Sequence, residues 1–208
     1  MKTKNIFLNF AVLTAFVLTA CGGAPTHEAM MEDEMTDTMP MTEAPMAESS
    51  DSMDEMMESP AWFGAQMTNV NTGETYSIND LKGKVVLVET MAVWCSNCRK
   101  QQEQVKALHE KLGENADLVS IGLDIDSNED ESKLRDFVQS QGFDWVYSVS
   151  PKNVSSDLAS LYGNQYLNPP STPMLIIDRH GNVHTLPFGI KSADDLLAAI
   201  QPFLDEGM

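Results

Sequence analysis

Two cysteines three residues apart, Cys95 and Cys98, are the residues of this chain best suited to do chemistry. They follow an apolar, β-branched run at 85–88, typical of a strand buried on both faces, and they precede a polar segment that predicts a helix. Cys95 is therefore expected at or next to the helix N-cap, where the helix dipole and free amide groups favour a thiolate over a thiol. Cys98, one turn further along, could resolve a mixed disulfide formed by Cys95. The spacing predicts a thiol-disulfide redox pair.

Two other interpretations of this pair fit less well. A purely structural disulfide would close almost no loop, so it would restrict the unfolded chain very little. A zinc site would need more ligands, and the sequence has no second Cys pair and no His at ligand spacing from Cys98. We therefore expect no metal at the pair.

Two motifs of the chain resemble the thioredoxin superfamily, most closely its extracytoplasmic TlpA-like and ResA-like branch. The first is Gly83 to Val88 followed by Ala92-x-Trp94-Cys95-x-x-Cys98-Arg99, and the second is Ser171-Thr172-Pro173 leading into the apolar run 174–177. The resemblance covers about residues 61–208. It implies an α/β, thioredoxin-like fold, with a central mixed β-sheet flanked by helices and an N-terminal β-hairpin extension.

The resemblance implies roles for two residues before the cysteines. Glu89 occupies the position of a buried acid that could take and return the proton of Cys98, since burial would raise its pKa. The alternative is a strand residue that faces solvent. Trp94 is expected to shield the sulfur atoms and to form part of the docking surface, unless it is an aromatic residue with no part in exchange.

The second motif is expected to bind substrate. The resemblance implies that the Thr172–Pro173 bond is cis and faces the cysteine pair, and that the Thr172 backbone pairs with the substrate chain. An ordinary trans proline in a turn is the alternative. Two departures leave the direction of electron flow open: Gln101 stands where many ResA-like proteins have Glu, and Ser96-Asn97 lacks the proline that many relatives place before the second cysteine.

The amino terminus resembles a bacterial lipoprotein signal peptide. Lys2 and Lys4 precede an apolar run at 6–20 that ends Leu-Thr-Ala-Cys-Gly, so residues 1–20 would be removed and Cys21 would carry the lipid. An uncleaved membrane anchor or an ordinary secretion signal would also export the protein. We therefore expect an extracytoplasmic protein, lipid-anchored to a bacterial cell membrane.

Residues 21–60 are predicted to be a disordered tether between the lipid and the thioredoxin-like domain at 61–208. The stretch 22–60 contains eleven Asp and Glu residues, four prolines, no Lys or Arg and no aromatic residue. Such acidity argues against binding nucleic acid or anionic lipid. The same stretch holds nine of the fourteen methionines, whose thioethers suit Cu(I), although compositional drift in a linker is the favoured explanation.

The rest of the chain predicts alternating strands and helices after an N-terminal hairpin formed by 63–70 and 75–78. A closing antiparallel hairpin is expected from 174–178 and 183–187. Ser192 and Asp195 resemble a capping box for a last helix. The three histidines of this domain are expected at the surface; they are His109, His180 and His184.

These observations predict a membrane-tethered thiol-disulfide oxidoreductase that reduces protein disulfides, for example in cytochrome c maturation. Cys95 would attack and Cys98 would resolve, with no dissociable cofactor and with electrons supplied by a membrane dithiol donor. We expect a monomer whose partners are protein thiols and disulfides. The rival hypothesis is an extracytoplasmic copper-binding or copper-delivery protein that uses the cysteine pair and the Met-rich tether. A thiol peroxidase would want Thr where the chain has Ala92.

Overall fold

The structure is a computed structural model that describes residues 59–113, 115 and 117–206. The predicted signal peptide, the predicted lipid attachment site Cys21 and the tether up to residue 58 lie outside the described residues. The described strands are β1 Met67–Thr68, β2 Thr75–Tyr76, β3 Val85–Met91, β4 Leu118–Asp124, β5 Val146–Val149, β6 Met174–Ile177 and β7 Val183–Thr185. The α-helices are α1 Ser96–Leu112, α2 Glu131–Gln141, α3 Lys152–Tyr162 and α4 Ala193–Asp205.

A five-stranded mixed sheet forms the centre of the domain, in the order β5-β4-β3-β6-β7. Strands β3, β4 and β5 are parallel, whereas β6 and β7 pair antiparallel to their neighbours. All seven residues of β3 are buried, as the apolar run indicated. The thioredoxin-like α/β fold predicted from the sequence is confirmed.

The two faces of β3 bury different sets of side chains, because successive residues of a strand point to opposite faces. Val85 and Leu87 pack with apolar residues of α1 and α4. Val86 and Val88 pack with residues of α3 and of the N-terminal extension. The sheet is therefore covered by helices on both faces, and its central strand can deliver the cysteines at one end.

The predicted N-terminal hairpin is present but shorter than expected. Strands β1 and β2 pair antiparallel over only two residues each and form a separate small sheet. Residues 61–64 and 78–81 are 3-10 turns instead of strand. Trp62 and Phe63 are buried in the main core, and a Ser77–Asp80 capping box begins the second turn. Packing of two large aromatic side chains thus outweighed their preference for strand.

Helices α1 and α4 begin where the sequence indicated. Cys95 is the N-cap of α1, and its sulfur accepts a hydrogen bond from the backbone N–H of Cys98. The Ser192–Asp195 capping box of α4 is present with both reciprocal bonds. Within the described part of the chain, none of the helices combines the length and apolar character that crossing a bilayer requires.

Candidate active site

A disulfide joins Cys95 and Cys98 at the first turn of α1, with their Cα atoms 5.3 Å apart. Strand β3 positions the pair, since only the loop 92–94 separates the strand from the N-cap. Cys95 is 2% exposed and Cys98 is fully buried. Both sulfur atoms are thus buried in the oxidised protein, and attack by Cys95 with resolution by Cys98 stays a prediction.

The segment 168–173 covers the disulfide from the opposite side. The Sγ atom of Cys98 lies 3.2 Å from the carbonyl oxygen of Pro169, a contact in which a reduced Cys98 thiol would donate a hydrogen bond. The Asn97 side chain donates to the carbonyl of Pro170 at 2.9 Å. This segment and the first turn of α1 are thus linked on both sides of the disulfide.

The expectation of a cis Thr172–Pro173 bond is wrong in this structure, since no peptide bond among the described residues is cis. The chain reverses instead through Thr172, whose backbone is left-handed, with φ 44° and ψ 60°. A β-branched residue rarely adopts this conformation. Two hydrogen bonds hold it: the Thr172 N–H donates to Pro169 at 2.8 Å, and its carbonyl accepts from the Lys191 ammonium at 2.8 Å.

Both backbone groups of Thr172 are therefore occupied, and the residue is fully buried. Pairing of this backbone with a substrate chain remains a prediction, and it would require these bonds to be exchanged for bonds to substrate. Pro173 contacts the strand that leads to the cysteines, because its carbonyl accepts a hydrogen bond from the N–H of Thr90 on β3 at 3.2 Å.

Glu89 lies in the middle of β3, paired with Met174 on one side and Gly122 on the other, and is 3% exposed. Burial raises its pKa well above the ordinary value, while the positive charge of Lys191 acts in the opposite direction. One carboxyl oxygen is buried and has no hydrogen-bond partner. The alternative of a solvent-facing strand residue is thus excluded, and Glu89 is a buried acid whose protonated form is favoured by burial.

Trp94 stands at the outer edge of the site and is 58% exposed. Its indole N–H donates to a carboxyl oxygen of Asp126 at 2.6 Å, which orients the ring beside a shallow depression. Leu167 and Pro169 line the same depression. This placement suits contact with a partner, but the role of Trp94 in exchange stays a prediction.

Sequence reasoning missed buried ionisable residues near the site, among them Lys191 and Asp124. Lys191, in the loop before α4, is only 8% exposed. Asp124, the last residue of β4, is fully buried beside Glu129, and burial is the main cause that raises its pKa to about 7. The sequence held a signal for Asp124, because it is the last residue of a strand that pairs in parallel with β3. In this register Asp124 lies opposite Met91, the last residue of β3 before the cysteines. Lys191 carried no local signal.

The histidines differ from expectation in burial. His180 is exposed, but His109 and His184 are partly buried. His109 shares a hydrogen bond with Ser120 at 2.8 Å, and burial lowers its pKa. His184 contacts Asp178 at 2.9 Å. These contacts account for both rings as structural residues.

Comparison with known proteins places this site in context. The family model described as Redoxin matches residues 49–195. The thioredoxin-like protein YneN of Bacillus subtilis is 24% identical over 86 residues, which are 41% of this chain and 50% of YneN. The chain therefore matches about half the length of this curated relative.

Solved structures share the fold over most of the described domain. One is a candidate protein disulfide isomerase from Bacteroides thetaiotaomicron, 26% identical, with a TM-score of 0.56, covering 69% of this chain and 87% of that protein. Another is a secreted thiol-disulfide isomerase from Corynebacterium glutamicum, 18% identical, with a TM-score of 0.56, covering 68% and 84%. Together with the Cys95–Cys98 disulfide, these similarities support the predicted enzyme class.

Proposed function

Because the chain belongs to the Redoxin family, we propose that it is a thiol-disulfide oxidoreductase that reduces disulfides of other proteins outside the cytoplasm. One observation carries this proposal: a disulfide at the first turn of α1, with Cys95 as the N-cap residue and Cys98 buried one turn further along. An N-cap sulfur receives amide hydrogen bonds that stabilise a thiolate, and thiolates are the attacking species in exchange.

The reaction begins with the reduced pair. The Cys95 thiolate attacks a substrate disulfide, forms a mixed disulfide and releases the first substrate sulfur, which takes up a proton. Cys98 then gives its proton to Glu89 and attacks the Cys95 sulfur. The second substrate sulfur leaves as a thiolate and becomes a thiol by taking up a proton, which Glu89 can return. Two electrons pass to the substrate, and the Cys95–Cys98 disulfide is formed. A membrane dithiol donor would then reduce the Cys95–Cys98 disulfide back to two thiols.

Substrate capture by single-cysteine variants tests this order of events. Cys98→Ser should accumulate a mixed disulfide between Cys95 and an oxidised protein substrate, detected as a band on a non-reducing gel that a reductant removes. Cys95→Ser should form no such species. If Cys95→Ser traps substrate and Cys98→Ser does not, the roles of the two cysteines are reversed.

The reduction potential decides between a reductase and an oxidase. It can be measured for the full chain carrying Cys21→Ser, so that only one pair titrates, in dithiothreitol and glutathione buffers. A value at or below about −230 mV, toward thioredoxin, supports the reductase, whereas about −120 mV would make the protein a donor of disulfides. A protein with no two-electron transition would not be an oxidoreductase.

The lipid anchor at Cys21 and the tether at 22–60 are part of this proposal. The charged start, the apolar run 6–20 and Cys21 support them, and the Corynebacterium protein of the same fold is described as secreted. Labelling of cells with radioactive palmitate should mark the wild-type protein but not Cys21→Ala. Labelling of both proteins would place the lipid elsewhere.

We do not propose copper delivery as a second function. Its methionine ligands lie outside the described residues, and within the described ranges no group of three or more His, Cys, Asp or Glu side chains is positioned to hold a metal ion.

A further inference from the structure

The ammonium group of Lys191 is buried among backbone carbonyls next to the active-site loop. Its Nζ atom donates to the carbonyl oxygens of Thr172 at 2.8 Å, Pro187 at 3.1 Å and Gly189 at 2.5 Å. A lysine ammonium has three protons to donate, so these three acceptors use all of them. The side chain therefore has a defined position instead of the freedom usual for lysine.

The backbone of Lys191 is fixed to the active-site helix. Gln101, one turn after Cys98 on α1, accepts a hydrogen bond from the Lys191 N–H at 2.7 Å and donates to the Lys191 carbonyl at 3.1 Å. Gln101 is fully buried, so neither bond competes with water. Lys191 thus joins the helix that carries the cysteines to the loop that faces them.

The loop end of this link is a strained residue. Thr172 has a left-handed backbone with φ 44°, a conformation that persists only where surrounding contacts enforce it. The bond from Lys191 to the Thr172 carbonyl is one of those contacts. Removal of the ammonium would leave this carbonyl without its donor directly before Pro173.

Among the described residues, Glu89 is the acid whose charge acts on Lys191. Glu89 and Lys191 each favour the ionised form of the other, although burial is the larger influence on both and lowers the pKa of Lys191 to about 8. Tyr147 on β5 also faces Glu89, and burial raises its pKa well above the ordinary value, so it stays neutral near pH 7. On α1, the buried side chains nearest the cysteines along the chain are those of Gln101 and Gln102, which carry no charge.

We propose that Lys191 is a positioning residue for exchange: it holds the Thr172–Pro173 loop against the disulfide and stabilises the Glu89 carboxylate that receives the proton of Cys98. This inference rests on the proposed oxidoreductase function and adds a residue to its mechanism. Lys191 does not touch the sulfur atoms; it acts through Thr172 and Glu89.

Substitution by Met tests the proposal, because Met has a similar length but neither charge nor donors. Lys191→Met should lower the rate of protein disulfide reduction at pH 7 by about tenfold, as expected when a reacting group loses its positioning. The rising limb of the pH–rate profile should also move to higher pH, since the Glu89 carboxylate loses its positive neighbour. Lys111→Met is the matched control: Lys111 pairs with Asp194 on α4 but is 45% exposed.

Each outcome has one meaning. If Lys191→Met and Lys111→Met have the same rates and the same profile, the inference is wrong. If the rate falls by the same factor at every pH and the rising limb of the profile does not move, Lys191 has only a structural role. This result would also overturn the inference. If the wild-type protein and Lys111→Met do not exchange at all, the proposed function itself fails.

A measurement on the wild-type protein covers the case in which Lys191→Met does not fold. The three ammonium protons of Lys191 should exchange slowly with water, because all of them donate to buried carbonyls, and their NMR resonance should shift when the disulfide is reduced. The lysine whose resonance is lost in Lys191→Arg identifies the signal. A resonance that is identical in the oxidised and reduced protein from pH 6 to 9 would overturn the inference.

Discussion

Glu129 accepts a hydrogen bond from the backbone N–H of Val93 at 2.6 Å, and so holds the chain two residues before the attacking cysteine. Its carboxylate also forms an ion pair with Lys133 at 2.7 Å. Asp124 lies beside it, with one carboxyl oxygen buried and unpartnered. The loop that leads to Cys95 is therefore held by one of two neighbouring buried acids, and Lys133 forms an ion pair with that acid.

This acid pair predicts a fall in stability as the pH rises. The pKa of Asp124 is raised to about 7 in the folded protein, mainly by burial, so between about pH 4 and pH 7 the folded state binds a proton that the unfolded state has lost. The free energy of unfolding should therefore decrease over this range, on the order of 4 kcal/mol from this group. Asp124→Asn should remove most of that decrease, measured by urea unfolding at each pH.

Asp136→Asn is the control for this measurement, because it removes the same charge from an exposed position on α2. It should leave the slope unchanged. Equal slopes in the wild type and in Asp124→Asn would mean that Asp124 is ionised throughout, with its charge compensated by Lys133.

Close packing at Gly122 predicts a sharp loss of stability on substitution. A Cβ atom at this position would overlap ring atoms of Tyr147, whose hydroxyl donates to Gln102 at 3.0 Å and is fully buried. The ring cannot move without breaking that bond, so Gly122→Ala should lower the free energy of unfolding by about 2–3 kcal/mol. Gly64→Ala, where the nearest atom is 3.6 Å from the added Cβ, should change it by less than about 1 kcal/mol. Similar melting temperatures for the two variants would contradict the prediction.

The exposed ring of Trp94 predicts an effect on substrate recognition that is separate from stability. Trp94→Ala should raise KM for a protein disulfide about fivefold, because an exposed aromatic at the rim supplies contact area to a partner. Exchange with glutathione, which is too small to use that area, should change less. Leu161→Ala is the control, since Leu161 is 55% exposed on α3 and lies outside the loops around the disulfide. Equal KM values for Trp94→Ala and the wild type would remove Trp94 from the docking surface.

Local sequence signals were sufficient for the parts of the site that lie close together in the chain. The buried strand β3, the N-cap cysteine and the helix after it are consecutive, so periodicity and capping rules apply directly. The same holds for the capping box of α4. The alternation of such elements predicted parallel strand pairing, and the thioredoxin-like fold was implied by the resemblance of the two motifs.

The contacts that bring distant segments together could not be predicted in this way. Lys191 reaches the site only because Gln101, 90 residues away, fixes its backbone, and neither residue has a sequence pattern that indicates this pairing. The left-handed backbone of Thr172 likewise has partners that a short motif does not indicate, the Lys191 ammonium and the Pro169 carbonyl. These features arise from tertiary packing, which overrides what a short motif implies.

The buried acid of β3 predicts the dependence of exchange on pH. Glu89→Gln should retain the fold and slow the resolving step about 100-fold, because a positioned general base is lost while the volume is kept. Since burial raises the pKa of Glu89 in the folded state, the wild type loses stability as the pH rises from the unfolded pKa to the folded one, and Glu89→Gln should not. The resolving rate is measured as decay of the mixed disulfide by rapid quench, and stability by urea unfolding from pH 4 to 9.

Glu103→Gln supplies the comparison, because Glu103 is an exposed acid on α1. It should match the wild type in both measurements. Loss of the pH-dependent stability in Glu89→Gln with an unchanged resolving rate would show that Glu89 is buried and protonated but takes no part in proton transfer. The proton of Cys98 would then have to leave by another path.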